Sequence, residues 1–258
     1  MKILWKMKYF SSLMVGLGAV GCGLRRLLYI LTEDGKGLVR VGHPLEWGLW
    51  VLFAAALILA LLGAGNIDTG KPLTGLSRMA SAVGCVALAI GIGLTALLSS
   101  AAPQGFLGLA WKVLGVMCFA SLDVAAKQRW DGKQPWFLLS AVVCVFFAVH
   151  MVSSYRGWSS NPQIIDYVFT LLANIFLMLF AYQQGAVAAD CGKPRLTIFF
   201  GAMAVFCCLV CLSGTGSPVL YFTGGVWALT NLWIPVPSGE VIEEANRETG
   251  GEADDETA

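Results

Sequence analysis

Eight stretches of the chain, near residues 10–31, 47–65, 80–99, 105–123, 135–152, 164–184, 196–213 and 218–234, are apolar almost without interruption. Each is on the order of 20 residues, the length at which an α-helix covers a hydrocarbon layer about 30 Å thick. No other feature constrains the fold as strongly. A segment that crosses lipid has no water to bond with, so it must satisfy its own backbone N–H and C=O groups, as a helix does. The composition points the same way: 57% apolar residues and 13% charged ones exceed what a water-soluble domain of 258 residues needs for its core. The sequence therefore predicts an all-α, polytopic integral membrane helix bundle of about eight transmembrane helices over residues 1–235. The eighth run is short and broken by Gly224, Gly225 and Asn231, so it fits either a full crossing or a re-entrant or interfacial segment.

Basic residues between the runs set an orientation. With the N-terminus inside, the cytoplasmic side holds eleven: Lys2, Lys6, Lys8, Lys71, Arg78, Lys127, Arg129, Lys133, Lys193, Arg195 and Arg247. The other side holds Lys36, Arg40 and Arg156, and reaches only six if Arg25, Arg26 and Lys112 are added. The positive-inside rule then predicts a multi-pass protein of the plasma membrane with both termini cytoplasmic. The basic head and apolar stretch at the N-terminus also resemble a signal peptide, and AVGC ending at Cys22 resembles a lipoprotein cleavage box. Ala19 stands where such boxes usually have Leu, and LLYIL continues past the two arginines, which suits a retained first span. Residues 236–258 form an acidic tail. It carries eight of the sixteen acids against the single base Arg247, too little apolar surface to order itself. Its expected role is a solubilising cytoplasmic end or a docking tail for a protein partner.

Motifs for catalysis and metal binding are missing. The chain has no GxSxG elbow, HExxH pair or GxxxxGK[ST] loop, so no catalytic residue and no cofactor is expected. Seven of the eight cysteines lie in apolar runs, and Cys207 and Cys211 share a helical face without the further soft ligands a metal needs. They are expected to pack rather than to ligate. No metal site and no nucleic-acid surface is expected. The glycines of GLGAVG at 16–21 and GCVALAIGIG at 84–93 are expected to let helices approach closely. Trp47, Trp50, Trp111, Trp136 and Trp158 read as interfacial anchors.

One polar pattern remains, and it concerns the segment HMVSSYRGWSSNPQIIDYVF at 150–169 and the run after it. Advancing about 100° per residue, Gln163, Asp166, Tyr167, Thr170, Asn174, Leu177, Ala181 and Gln184 fall within an arc of roughly 100°. Such a stripe should face into the bundle, because unsatisfied polar groups are costly in lipid. Two readings fit it: interhelical hydrogen bonding, or the lining of a cavity. At the depth of its outer end the topology also places Arg25, Arg26, Lys112 and His150. The candidate ligand-binding set is thus Arg25, Arg26, Lys112, His150, Asp166, Tyr167, Thr170 and Asn174, with a net cationic character suited to a small anionic or zwitterionic ligand. The expected function is a small-molecule transporter or ligand-binding membrane subunit. The alternative is a structural or sensory membrane protein acting through protein partners. An enzyme would have only His150 and Asp166 as an acid–base pair.

Overall fold

A computed structural model describes residues 7–32, 43–66, 75–98, 106–131, 135–158, 167–189, 191–214 and 217–232. They form eight helices: α1 (Met7–Thr32), α2 (Pro44–Asn66), α3 (Gly75–Leu98), α4 (Phe106–Trp130), α5 (Phe137–Trp158), α6 (Val168–Ala188), α7 (Pro194–Cys211) and α8 (Pro218–Leu232). Seven of these, α1 to α7, are long and apolar enough to cross a membrane. The chain is a multispan all-α membrane protein. Large apolar side chains such as Val51, Ile58, Val83, Val113 and Phe222 are exposed on the outside, where a soluble protein would place polar groups.

Boundaries follow local chemistry. Pro44, Pro194 and Pro218 each stand at the first position of a helix, where a missing N–H costs nothing and a fixed φ helps. Glu46 lies in the first turn of α2, and Lys127 and Arg129 lie in the last turn of α4, on the sides the helix dipole favours. The fourth run was expected to end at 123. It continues to Trp130, because VAAKQRW contains no helix breaker and Gly132 is the first residue that could stop it.

The helices alternate in direction. Gly63 of α2 faces Phe10 of α1 while Gly48 faces Leu24, and Gly201 of α7 faces Phe180 of α6 while Cys211 meets Thr170. Hence α2, α4, α6 and α8 all begin at the end of the bundle where α1 finishes. Helices α3, α4, α5, α6 and α8 close a ring by neighbouring contacts, and α7 lies against α6 and α8 with α1 and α2 packed on its other side. The deepest core is α7, whose residues 201–208 are all buried.

Small residues set the close seams. Side chains added at Gly84 and Gly91 of α3 would collide with Thr230 and Thr223 of α8, and ones at Gly18 and Gly21 of α1 would collide with Leu209 and Val210 of α7. Gly18, Gly21, Gly84 and Gly91 therefore act as the sequence led us to expect, whereas a side chain at Gly16 would meet nothing within 4 Å. Helix α8 is 15 residues long, about 22 Å, shorter than the others. Even so, it accompanies α3 over most of the latter's length. Ser217 shares a hydrogen bond with Thr95 at 3.3 Å near one end, and Asn231 Oδ1 accepts from Ser81 Oγ at 2.9 Å near the other. The glycines that seemed to interrupt it are seam residues, with Gly224 against Leu177 and Gly225 against Cys208. The two ends of the chain, including the acidic tail from 236 onward, lie outside the described residues.

Candidate functional site

Along α1 the buried positions Met14, Gly18, Gly21, Arg25 and Leu28 recur every three or four residues, so Arg25 extends the glycine seam into the contact with α7. Its side chain is 3% exposed. One guanidinium nitrogen donates to the Val210 carbonyl at 3.4 Å and another to the Tyr29 hydroxyl at 3.5 Å, both near the long limit for a hydrogen bond. The cation also lies 5.8 Å from the centre of the Tyr29 ring and 5.7 Å from that of Phe169, within cation–π range.

Phe169 leads into the polar stripe of α6. Thr170 and Asn174 are buried one turn apart. The Cys211 thiol points to Thr170 Oγ1 at 4.0 Å. Asn174 Nδ2 donates both to the Thr170 carbonyl at 2.9 Å and to the Tyr221 hydroxyl of α8 at 3.0 Å. Polar groups of α1, α6, α7 and α8 thus form one column. Its other amide atom, Asn174 Oδ1, is buried with no hydrogen-bond partner among the described residues.

Of the eight residues singled out in the sequence, three enter this column: Arg25, Thr170 and Asn174. Tyr167 stands at the start of α6 as its N-cap, partly buried and making no side-chain capping bond. Arg26 is exposed, since it is about 100° around α1 from Arg25. Lys112 is exposed too, because α4 turns Trp111, Gly115, Cys118 and Leu122 inward and leaves the next residue on the outside. His150 is elsewhere, stacked between Trp111 at 5.8 Å and Phe146 at 6.0 Å. Asp166 lies outside the described residues. The expectation that Trp111 is an interfacial anchor is corrected: it is 3% exposed, because it begins the inward face of α4.

Sequence reading named Gln184 at the far end of the stripe but missed the second polar group it belongs to, at the opposite end of the bundle. Inside the five-helix ring, Cys85 of α3, Arg129 of α4, Ser140 of α5, Gln184 of α6 and Asn231 of α8 line a cavity of about 20 Å³, or about 320 Å³ when its open mouth is counted. Arg129 had been assigned to a loop. The sequence did carry a signal: Cys118, Leu122, Ala125 and Arg129 share one helical face, and the first three are small or apolar. Cys211 and Tyr221 were also missed, since a cysteine and a tyrosine in apolar runs read as ordinary packing.

Over 84 residues the chain is 36% identical to the inner membrane protein YbjM of Escherichia coli (strain K12), and the same figures hold for YbjM of Escherichia coli O157:H7 and of Shigella flexneri. This chain is similar to inner membrane proteins. The match covers 32% of the chain and 57% of each relative, so the chain spans little more than half the length of the proteins it matches. No family model and no solved structure matches it.

Proposed function

We propose that the protein is a ligand-binding membrane subunit or small-molecule transporter whose ligand engages the column formed by Arg25, Thr170 and Asn174. The observation that carries this is the buried Asn174 Oδ1, which has no donor among the described residues. A buried acceptor left unmatched costs on the order of 1–3 kcal/mol, more than a purely structural amide would sacrifice. Arg25 supplies positive charge to the same column. A small zwitterion fits both: its carboxylate matches the guanidinium, and its ammonium supplies the donor that Oδ1 lacks. The column is closely packed, so entry requires α6 to part from α7 or α8.

A second reading has its own support. Thr170, Asn174 and Tyr221 bond to one another, as members of a structural or sensory bundle acting through partners would. The two readings separate in a thermal-shift screen of purified protein against amino acids and small carboxylates. A ligand at 100 times its Kd adds about 2.7 kcal/mol of stability. We expect a hit from the zwitterions that Asn174→Leu abolishes. If no compound stabilises the wild type, the ligand-binding reading fails and the structural one stands. The likeness to inner membrane proteins and the excess of Lys and Arg on one side support a plasma-membrane location with both termini cytoplasmic.

A further inference from the structure

Arg129 has too many donors for the partners around it. Its Nη2 donates to Gln184 Oε1 at 2.9 Å. Its Nε is shut off from solvent and has no hydrogen-bond partner among the described residues. Gln184 is itself buried, and its carbonyl oxygen is occupied by the bond to Arg129. The described residues lining the cavity include no carboxylate. A cation near a helix C-terminus is favoured by the dipole, which accounts for a positive charge at the end of α4. It does not account for a guanidinium drawn into the ring interior with a donor left unmatched, when the neighbouring Lys127 is exposed to solvent in the same turn.

We propose that the Arg129 cavity is a binding site for a phosphate-type oxyanion, separate from the Arg25 column. A guanidinium offers parallel donors in a fixed fork that matches the oxygens of a phosphate. Here Nε lacks a partner among the described residues but is covered, so the side chains over it must shift to admit an oxygen; Gln184 holds the fork through Nη2, and Ser140 of α5 also lines the wall. The enclosed part has room for about one water-sized group, so a single phosphate oxygen enters while the others remain in the mouth. The mouth lies at the depth of Trp130 and Trp136, which are 57% and 62% exposed, as tryptophans at the headgroup level are. The phosphate can therefore come from an anionic lipid headgroup or from free phosphate in solution. Basic pockets between spanning helices are a known mode of headgroup recognition.

The test uses full-length protein, delipidated in nonionic detergent, in a thermal-shift titration. One arm adds sodium phosphate against sodium chloride of equal ionic strength; the other adds phosphatidylglycerol against phosphatidylcholine in mixed micelles. We expect a rise in Tm of at least 3 °C in one arm, and the responding arm identifies the source. Lys127→Gln, an exposed neighbour, should respond as the wild type does. Arg129→Gln should lose the response. Should that variant not fold, Arg129→Lys keeps the charge but not the fork, and is expected to weaken the apparent affinity at least fivefold. The proposal is overturned if neither arm shifts the wild type, or if the folded Arg129 variants respond as strongly as the wild type. A zwitterion hit at Asn174 that persists in Arg129→Lys would keep the two sites distinct.

Discussion

Arg25 and Arg26 are adjacent and chemically identical, yet one is 3% exposed and the other faces outward. Replacing Arg25 by Ala removes a packed stem and two cation–π contacts and should destabilise the protein by about 2–5 kcal/mol. Arg26→Ala should fall within about 0.5 kcal/mol of the wild type. Reversible unfolding in mild detergent measures both, and equal effects would show that the burial of Arg25 is not what matters. Tyr221→Phe is a finer probe. It removes the hydroxyl that accepts from Asn174 but leaves the ring packed, so a loss of about 0.6–1.7 kcal/mol is expected, the range for interhelical hydrogen bonds in membranes. Phe222→Leu, on the exposed face beside it, is the control. The sequence contained enough to choose between the arginines, because Gly18 and Gly21 mark the seam and Arg25 follows Gly21 at i+4. It could not show that Tyr221 meets Asn174, since that contact depends on how α6 and α8 are placed side by side.

Helix packing makes a separate prediction, because glycines with similar sequence surroundings have opposite environments. A Cβ at Gly91 would run into Thr223 of α8, whereas one at Gly23 of α1 meets nothing within 4 Å. Gly91→Ala should therefore cost about 1–3 kcal/mol by overpacking the α3–α8 seam. Gly23→Ala should be neutral or stabilising by up to about 1 kcal/mol, since alanine is the better helix former. Thermal midpoints of the two variants test the seam, and a Gly91→Ala protein as stable as wild type would mean that α3 and α8 are further apart than described. All eight helices were legible in the chain as apolar runs. Their exact ends were not: α4 reaches Trp130 because the polar residues after 123 are good helix formers, and an apolar window stops counting where charge begins. That extra length is what carries Arg129 into the ring. The neighbour order was also hidden, since nothing in one apolar run names the helix it will touch.

Across the whole molecule, charge and thiol chemistry meet at one end of the bundle. The alternating helix directions place Cys191, Lys193 and Arg195, between α6 and α7, at the same end as Lys127 and Arg129, and opposite the end where Arg25 lies. The excess of basic residues is the ground on which we propose that this end is the cytoplasmic one. Cys191 is exposed, whereas Cys22 and Cys144 are partly covered and Cys85, Cys118, Cys207, Cys208 and Cys211 are buried within helices. A membrane-impermeant maleimide therefore has one accessible target. Applied to sealed spheroplasts it should leave the protein unmodified, and after permeabilisation it should add a single label that Cys191→Ser removes. Labelling of Cys191 in the sealed state would invert the orientation, and with it the side from which each polar site is reached. In the expected orientation the Arg129 mouth opens at the cytoplasmic leaflet, whose negative surface potential concentrates cations and whose anionic headgroups supply the phosphate that its fork fits. The Arg25 column then begins at the opposite face, so a ligand binding there would approach from outside the cell.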